Sequence, residues 1–463
     1  PLWTDAAAAR AARALLAAAA DDGLDPADYA VSPAADAAGQ DSALTRAVLR
    51  FLSDLHFGRV DPRSLGFRLP PRPALDLAAR LREAVAQGGV AQLADQLRPP
   101  FAVYGRLRAA LPRYRALAAE TPVPLPAVTR VRAGEHYAGA AALRQRLVAL
   151  GDLPADAAPG ADASLYDTTL AEGVARFQRR HGLAADGVLG RATLAALAVP
   201  PAARVRQIEL ALERLRWLPR LDREPFVAIN IALFRLWAWD PAAAATPLEM
   251  GVIVGRALKT QTPVFVEQMR YLIFRPYWNV PRSIVRGEIL PALARNPRYL
   301  SQHDMEIVRG PGDDATPVAA SADSVAALAR GALRLRQRPG PENSLGLVKF
   351  IFPNDANVYL HGTPAPQLFG RARRDFSHGC VRVEDPLALA QWVLRDQPQW
   401  SRERIEAAMA GPASNRRVDL GRPLTTVLFY MTATVLPGSG ALQFAEDIYG
   451  HDAALERRLA ARR

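Results

Sequence analysis

The chain has no second cysteine. Among 463 residues there is one, Cys380, which excludes an intramolecular disulfide and leaves the compartment open, although an isolated thiol survives in an oxidising one. No uninterrupted apolar run comes near the ~18–20 residues that cross a bilayer. The Ala-rich stretch from Ala6 to Ala20 is broken by Arg10 and Arg13, and it lacks the apolar core and cleavage site of a signal peptide. Two situations fit: a cytosolic protein, or a chain that starts downstream of a removed export segment. The start at Pro1 without a Met favours the second. Fifty-eight basic against 46 acidic residues give a net charge of +12, yet no dense basic tract with interleaved aromatics occurs, so no nucleic-acid partner is expected. An anionic polymer bearing carboxylates meets this charge equally well. A metal set is missing too, since Cys380 with two histidines and no further cluster is a poor zinc site.

What is present is enough apolar residue for several cores. Half of the residues are hydrophobic and 22% are charged, a globular composition long enough for two or three domains. Residues 1–125 read as a helical scaffold, with apolar residues at helical spacing in Leu75–Val85 and Ala102–Leu117 and breaks at Asp25-Pro26, Asp61-Pro62 and Pro70-Pro71. The Pro-rich Thr121–Pro126 suits a stiff connector. Residues 130–200 predict three helices, Ala141–Leu150, Thr168–His181 and Arg191–Leu197, with turns at Gly182 and Asp186-Gly187. Residues 201–222 carry an amphipathic scaffold or linker helix.

From residue 223 to 463 the texture changes to short β-branched and aromatic runs: Phe226–Ile231, Phe234–Trp239, Met250–Val254, Thr262–Phe274, Leu347–Phe352, Asn357–Leu360 and Leu424–Leu436. A hairpin is expected at Pro437-Gly438-Ser439-Gly440. Many short strands with few helices predict a sandwich or barrel-like domain. Residues 282–344 interrupt it with two expected helices, Ser283–Arg295 and Ser321–Leu335. An insertion of that length beside an active region suits a lid or substrate wall.

Two motifs carry chemistry. His361-Gly362-Thr363 closes a predicted strand, and Ser377-His378-Gly379-Cys380-Val381-Arg382 holds the lone thiol 19 positions later. A cysteine in a chain without others is commonly a small buried hydrophobe; with imidazoles nearby it reads instead as a nucleophile and its base. A free thiol titrates near 8.5, and an adjacent imidazolium lowers that to roughly 3.5–7.5. His361 is the better base because it reaches across the fold. The Gly362 carbonyl is the acceptor that could orient it, and backbone N–H groups around Cys380 would face a developing oxyanion. Arg382 suits steadying the loop or holding a substrate carboxylate.

The pattern His-Gly-Thr…Ser-His-Gly-Cys-Val-Arg resembles the signature of the L,D-transpeptidase (YkuD-type) catalytic domain. Phe274-Arg275-Pro276-Tyr277-Trp278-Asn279-Val280-Pro281, Gln261-Thr262-Pro263-Val264-Phe265 and Asp447-Ile448-Tyr449-Gly450 are similar to its long YcbB-like subgroup. Phe177-Gln178, Gly182-Leu183, Asp186-Gly187, Gly190 and Thr193 resemble the small three-helix peptidoglycan-binding domain. The resemblance implies a multidomain α+β chain: helical scaffold, three-helix peptidoglycan-binding domain, and a mainly-β catalytic domain with a helical capping insertion. It implies Cys380 as nucleophile, His361 as general base, Gly362 as the group orienting that base, and Gly379 and Cys380 at the oxyanion site. His378 matches the second His of the general motif, where the long subgroup often has Ser. Tyr359, Trp278, Phe376, Ser377 and Arg382 would line the substrate site. The implied reaction crosslinks peptidoglycan stem peptides 3–3 in the periplasm through a thioester, without metal or cofactor. Carbapenem β-lactams would acylate the same sulfur, and other cell-wall synthases would be its partners. Hydrolysis or D-amino-acid exchange on the same thioester, or a wall-binding scaffold without catalysis, are the alternatives.

Overall fold

Short polar caps set the helix starts of the N-terminal region. Asp5, Asp36 and Asp76 each accept a backbone N–H of the first turn, opening the helices Ala6–Ala17, Ala37–Phe57 and Leu77–Ala86. Helices Val90–Leu97 and Ala102–Ala119 follow. The computed structural model describes residues 1–33, 36–157, 162–221, 223–243, 246–257, 260–436 and 440–462. They divide into two units, Pro1–Arg223 with Tyr430–Arg463, and Glu224–Phe429.

In the first unit Leu16, Leu44, Val48, Phe51, Leu52, Leu55, Leu93 and Leu97 form the apolar core of the helical region. Beside it lies a buried ionic cluster. Arg216, fully buried near the end of the helix Pro201–Trp217, donates to Glu213 at 2.9 Å and to the Tyr104 hydroxyl at 3.0 Å. Asp22, equally buried, pairs with Arg98 at 2.9 Å and Arg108 at 2.7 Å.

The three helices of the next segment are Ala140–Leu150, Thr168–Arg180 and Arg191–Ala198, packed around Leu143, Leu147, Tyr166, Leu170, Val174 and Phe177. Gln178 explains the motif there. The two N–H groups of its buried amide are shared among Asp186, the Val188 carbonyl and Thr193, each 3.0 Å from the nitrogen, and its oxygen accepts from the Gly187 N–H at 2.9 Å. Gly187 has φ +67°, with the Ala171 carbonyl 2.9 Å from where a Cβ would stand. Only glycine fits that turn without strain.

The second unit is a closed barrel. Its strands are β1 (Phe226–Asn230), β2 (Arg235–Trp239), β3 (Leu248–Gly255), β4 (Phe265–Phe274), β5 (Val348–Ile351), β6 (Leu360–His361), β7 (Asp375–Ser377), β8 (Val381–Val383) and β9 (Arg416–Phe429). Hydrogen-bonded order runs β7-β3-β8-β6-β5-β4-β9-β1-β2, and β2 pairs with β3 to close an eight-stranded ring with β7 branching off. Closure leaves few free edges. Val227, Ile229, Leu236, Val252, Leu272, Phe350, Leu360, Val381 and Val427 are fully buried in this unit.

Several expectations change. The run Asn357–Leu360 does not form one strand: Asn357 takes φ +52° and Asn354 bridges the carbonyls of Phe352 and Val358, so regular pairing begins only at Leu360. Leu424–Leu436 is interrupted, with β9 ending at Phe429 and a separate strand, Ala433–Val435, pairing with Leu442–Phe444. Pro437, Gly438 and Ser439 of the expected hairpin turn lie outside the described residues. The helix expected through Leu335 stops at Arg330, where Gly331 (φ +82°) caps it. Arg334–Gln337 is then a strand in a four-stranded sheet with Trp278–Asn279, Met305–Arg309 and Thr316–Val318. The insertion therefore joins a sheet to its helices around Ile284, Val285, Ile289, Ile307, Leu328 and Leu335.

Replacing Arg216 leaves Glu213 buried without its cation. Arg216→Leu is expected to lower stability by about 3–5 kcal/mol, and the double change Arg216→Leu with Glu213→Leu to recover part of the loss. Urea midpoints of the three proteins test this; a double variant no better than the single one would contradict it.

Candidate active site

The parallel pairing of β6 with β8 places the two motifs side by side. Leu360 lies opposite Val381 and His361 opposite Arg382, and the Val381 N–H donates to the Tyr359 carbonyl at 3.1 Å. Side chains alternate along strands. Leu360, Val381 and Val383 therefore share the buried face, while Tyr359, His361, Cys380 and Arg382 share the other. The neighbouring strand β5 adds Lys349, whose register partner is His361. A row of three side chains, Lys349–His361–Arg382, results, with the imidazole between two cations.

His361 is buried, with 4% of its surface exposed. Its Nδ1 lies 2.6 Å from the Gly362 carbonyl oxygen. A carbonyl only accepts, so Nδ1 carries the proton and Nε2 offers a lone pair. Burial, then the Arg382 charge and, more weakly, Lys349, push the ring pKa down to about 3, against the opposing carbonyls of Gly362 and Leu345. The ring is neutral at any ordinary pH.

Cys380 is half-buried at the end of a loop that returns from β7. Gly379 before it has φ +115°, and its carbonyl accepts from Thr262 Oγ1 at 2.8 Å. Ser377 Oγ donates to the Cys380 carbonyl at 2.5 Å and accepts the Gly379 N–H at 3.1 Å. The Cys380 sulfur lies 3.7 Å from the Asn357 carbonyl, and Tyr359 favours a negative charge on it. Burial raises its pKa; Tyr359 and the Arg382 charge oppose that rise. The Tyr359 ring is also 5.7 Å from the His361 ring.

These contacts differ from the sequence reading. The expected thiolate–imidazolium pair is not the state that the site favours, because burial pushes both groups toward their neutral forms. No hydrogen bond joins Cys380 to His361 among the described residues. The Gly379 N–H, expected at the oxyanion site, is already given to Ser377.

The other candidates fall in distinct places. Phe376 is half-buried on β7. Trp278 belongs to the insertion's sheet, paired with Gln337, and packs against the insertion's core. His378 is exposed and its Nε2 lies 2.7 Å from Glu288 Oε1. Lys349, Thr262 and Asn357 escaped the sequence reading. Lys349 interrupts an apolar run, Leu347–Phe352, which was the available signal. No group of three or more His, Cys, Asp or Glu suited to a metal occurs among the described residues.

Residues 224–411 match the model of the L,D-transpeptidase catalytic domain, YkuD. Residues 137–197 match that of a "putative peptidoglycan binding domain" and residues 1–111 that of a scaffold domain. A Haemophilus influenzae protein described as "Putative L,D-transpeptidase" is 29% identical over 248 residues, 53% of this chain and 48% of its own length. The chain thus spans about half the length of that curated relative. A crystal structure of an L,D-transpeptidase (residues 123–326) from Xylanimonas cellulosilytica is 17% identical and matches over 66% of this chain and 99% of its own. The TM-score between the two is 0.19.

The His361 ring should therefore not titrate between about pH 5 and 8. Its folded pKa lies below the ordinary 6.5, so the unfolded chain binds a proton that the folded one refuses. This contribution to stability is complete above about pH 6.5 and is lost as pH falls toward 3. Lys349→Met removes one flanking charge and raises the ring's pKa. Ring NMR signals followed against pH would check both, and a wild-type midpoint near 6.5 would contradict the assignment.

Proposed function

From a chain that carries a YkuD-type L,D-transpeptidase catalytic domain and a peptidoglycan-binding domain, we infer a peptidoglycan L,D-transpeptidase that forms 3–3 crosslinks through a thioester on Cys380. The observation that supports this reading most is the shared strand face of β6 and β8. It presents a half-buried thiol and a buried neutral imidazole with its tautomer fixed.

A neutral imidazole is the form that can accept a proton. As the sulfur attacks the carbonyl of the diamino acid in a tetrapeptide stem, the thiol proton passes to His361 Nε2. The C–N bond to the terminal D-Ala then breaks, and the departing amine takes that proton. The thioester remains. Between Lys349 and Arg382 the imidazolium is disfavoured, which speeds the onward transfer of its proton. The free amine of a second stem's diamino acid next attacks the thioester, loses a proton to His361, and the thiol is restored as the new amide forms.

Tyr359, through its contact with the sulfur, holds the thiol in place until attack. Ser377 fixes the carbonyl of Cys380, and Phe376, Trp278 and Arg382 contribute walls and charge to the stem site. Gly362 orients the base. With the Gly379 N–H engaged, the Cys380 N–H is the nearest backbone donor for the oxyanion. Water in place of the second amine would turn the same thioester to carboxypeptidase chemistry, and a free D-amino acid would give exchange. A carbapenem carbonyl would meet the same sulfur. A peptidoglycan substrate supports a location outside the cytoplasm, in the periplasm.

Cys380→Ala should reduce dimer formation from purified disaccharide-tetrapeptides by about 10³-fold or more, while sacculus binding is retained. Product masses would read this, and an unchanged dimer yield would overturn the reading. Intact-protein mass should rise by one carbapenem in the wild type and not in the variant.

A further inference from the structure

The insertion delivers one carboxylate to the rim of the site. Its first helical segment is wound as a π-turn at Val285–Ile289. Val285 and Ile289 are buried in the insertion's core, while Glu288 is exposed. Glu288 Oε1 lies 2.7 Å from His378 Nε2 and 3.7 Å from Arg256 Nη1. One oxygen thus faces two cationic or proton-donating groups from two different segments.

Backbone pairing explains why those two groups meet. β7 runs parallel to β3 with Ser377 opposite Gly255, and the Arg256 N–H donates to the Ser377 carbonyl at 3.0 Å. His378 and Arg256 are the next residues on each segment, so the register carries them side by side. His378 is two residues from Cys380. Burial first, and then the nearby Arg256 charge, disfavour the charge on Arg382, which in turn acts on the Cys380 sulfur. Positive charge therefore extends from the thiol to the rim, with Glu288 as its acidic counterpart there.

We propose that Arg256 and His378 form a subsite for the terminal carboxylate of the donor stem, and that Glu288 occupies it as an internal stand-in until the stem displaces it. This rests on the transpeptidase reading. In a tetrapeptide stem the attacked carbonyl is followed by one residue only, and that residue ends in a carboxylate. A group bound at the sulfur must therefore place an anion within one residue's reach. Charge-assisted bonds to Arg and His suit it. The three side chains are only half-covered, with 30–47% of each exposed. Exposed ion pairs are weak because water screens them, so an incoming carboxylate exchanges with Glu288 at little cost. Displacement also frees the insertion from its tie to the Cys380 loop.

Binding to the full chain carrying Cys380→Ser, measured by calorimetry, tests this without requiring turnover. The ligands are the tetrapeptide stem as free acid and the same stem amidated at the D-Ala terminus. The free acid should bind about tenfold more tightly. Arg256→Gln should abolish that difference by weakening the acid alone. Glu288→Gln should tighten the acid several-fold and leave the amide unchanged. Equal binding of acid and amide, equal weakening of both by Arg256→Gln, or unchanged acid binding in Glu288→Gln would each overturn the proposal. Turnover by the wild type is scored separately. A protein that shows the acid preference and its loss in Arg256→Gln, yet makes no crosslink and releases no D-Ala, keeps the subsite and loses the transpeptidase reading.

Discussion

The pairing of two very short strands governs everything at the site. β6 contributes two residues and β8 three, yet their parallel register decides that a thiol, a phenol, an imidazole and a guanidinium share one face. A slip by one residue would turn all of one strand's side chains to the opposite face. What prevents it is the burial of Leu360, Val381 and Val383. The apolar half of each strand fixes the register and the polar half follows from it.

Electrostatics at that face favour uncharged reactants. Burial opposes both thiolate and imidazolium, and the cations on either side of His361 oppose the imidazolium further. Arg382 has a double effect, since the same charge that disfavours a proton on the ring favours an anion on the sulfur. On the proposed reading, a site of this kind would keep its thiol dormant and generate the reactive sulfur only as a carbonyl arrives. A neutral thiol is also the form less open to oxidants, since the thiolate is what they attack.

Much of this was legible in the residues. The two motifs marked the thiol, the imidazole and its carbonyl partner, and the three helices around Phe177 followed from apolar spacing. What escaped was set by contacts distant in sequence. Arg334-Leu335-Arg336-Gln337 continues the helical pattern before it closely enough to read as one helix, and only its pairing with Met305–Arg309 makes it a strand. Gly331 was the local stop signal. The barrel-like class was expected, but its parallel pairings, β6 with β8 and β9 with β1, were not. Lys349 gains its importance from lying opposite His361, and the Gly379 N–H lost its expected role to a hydroxyl two residues away.

The turn held by Gln178 has a consequence for how such chains are found. Both N–H donors of its amide are engaged inside the protein, shared among three acceptors, and its oxygen accepts the Gly187 N–H. The residues that make this segment identifiable are thus consumed in building it. A search keyed to them retrieves a shape, and whatever sugar or peptide each retrieved protein touches must be sought on side chains that the signature leaves unspecified.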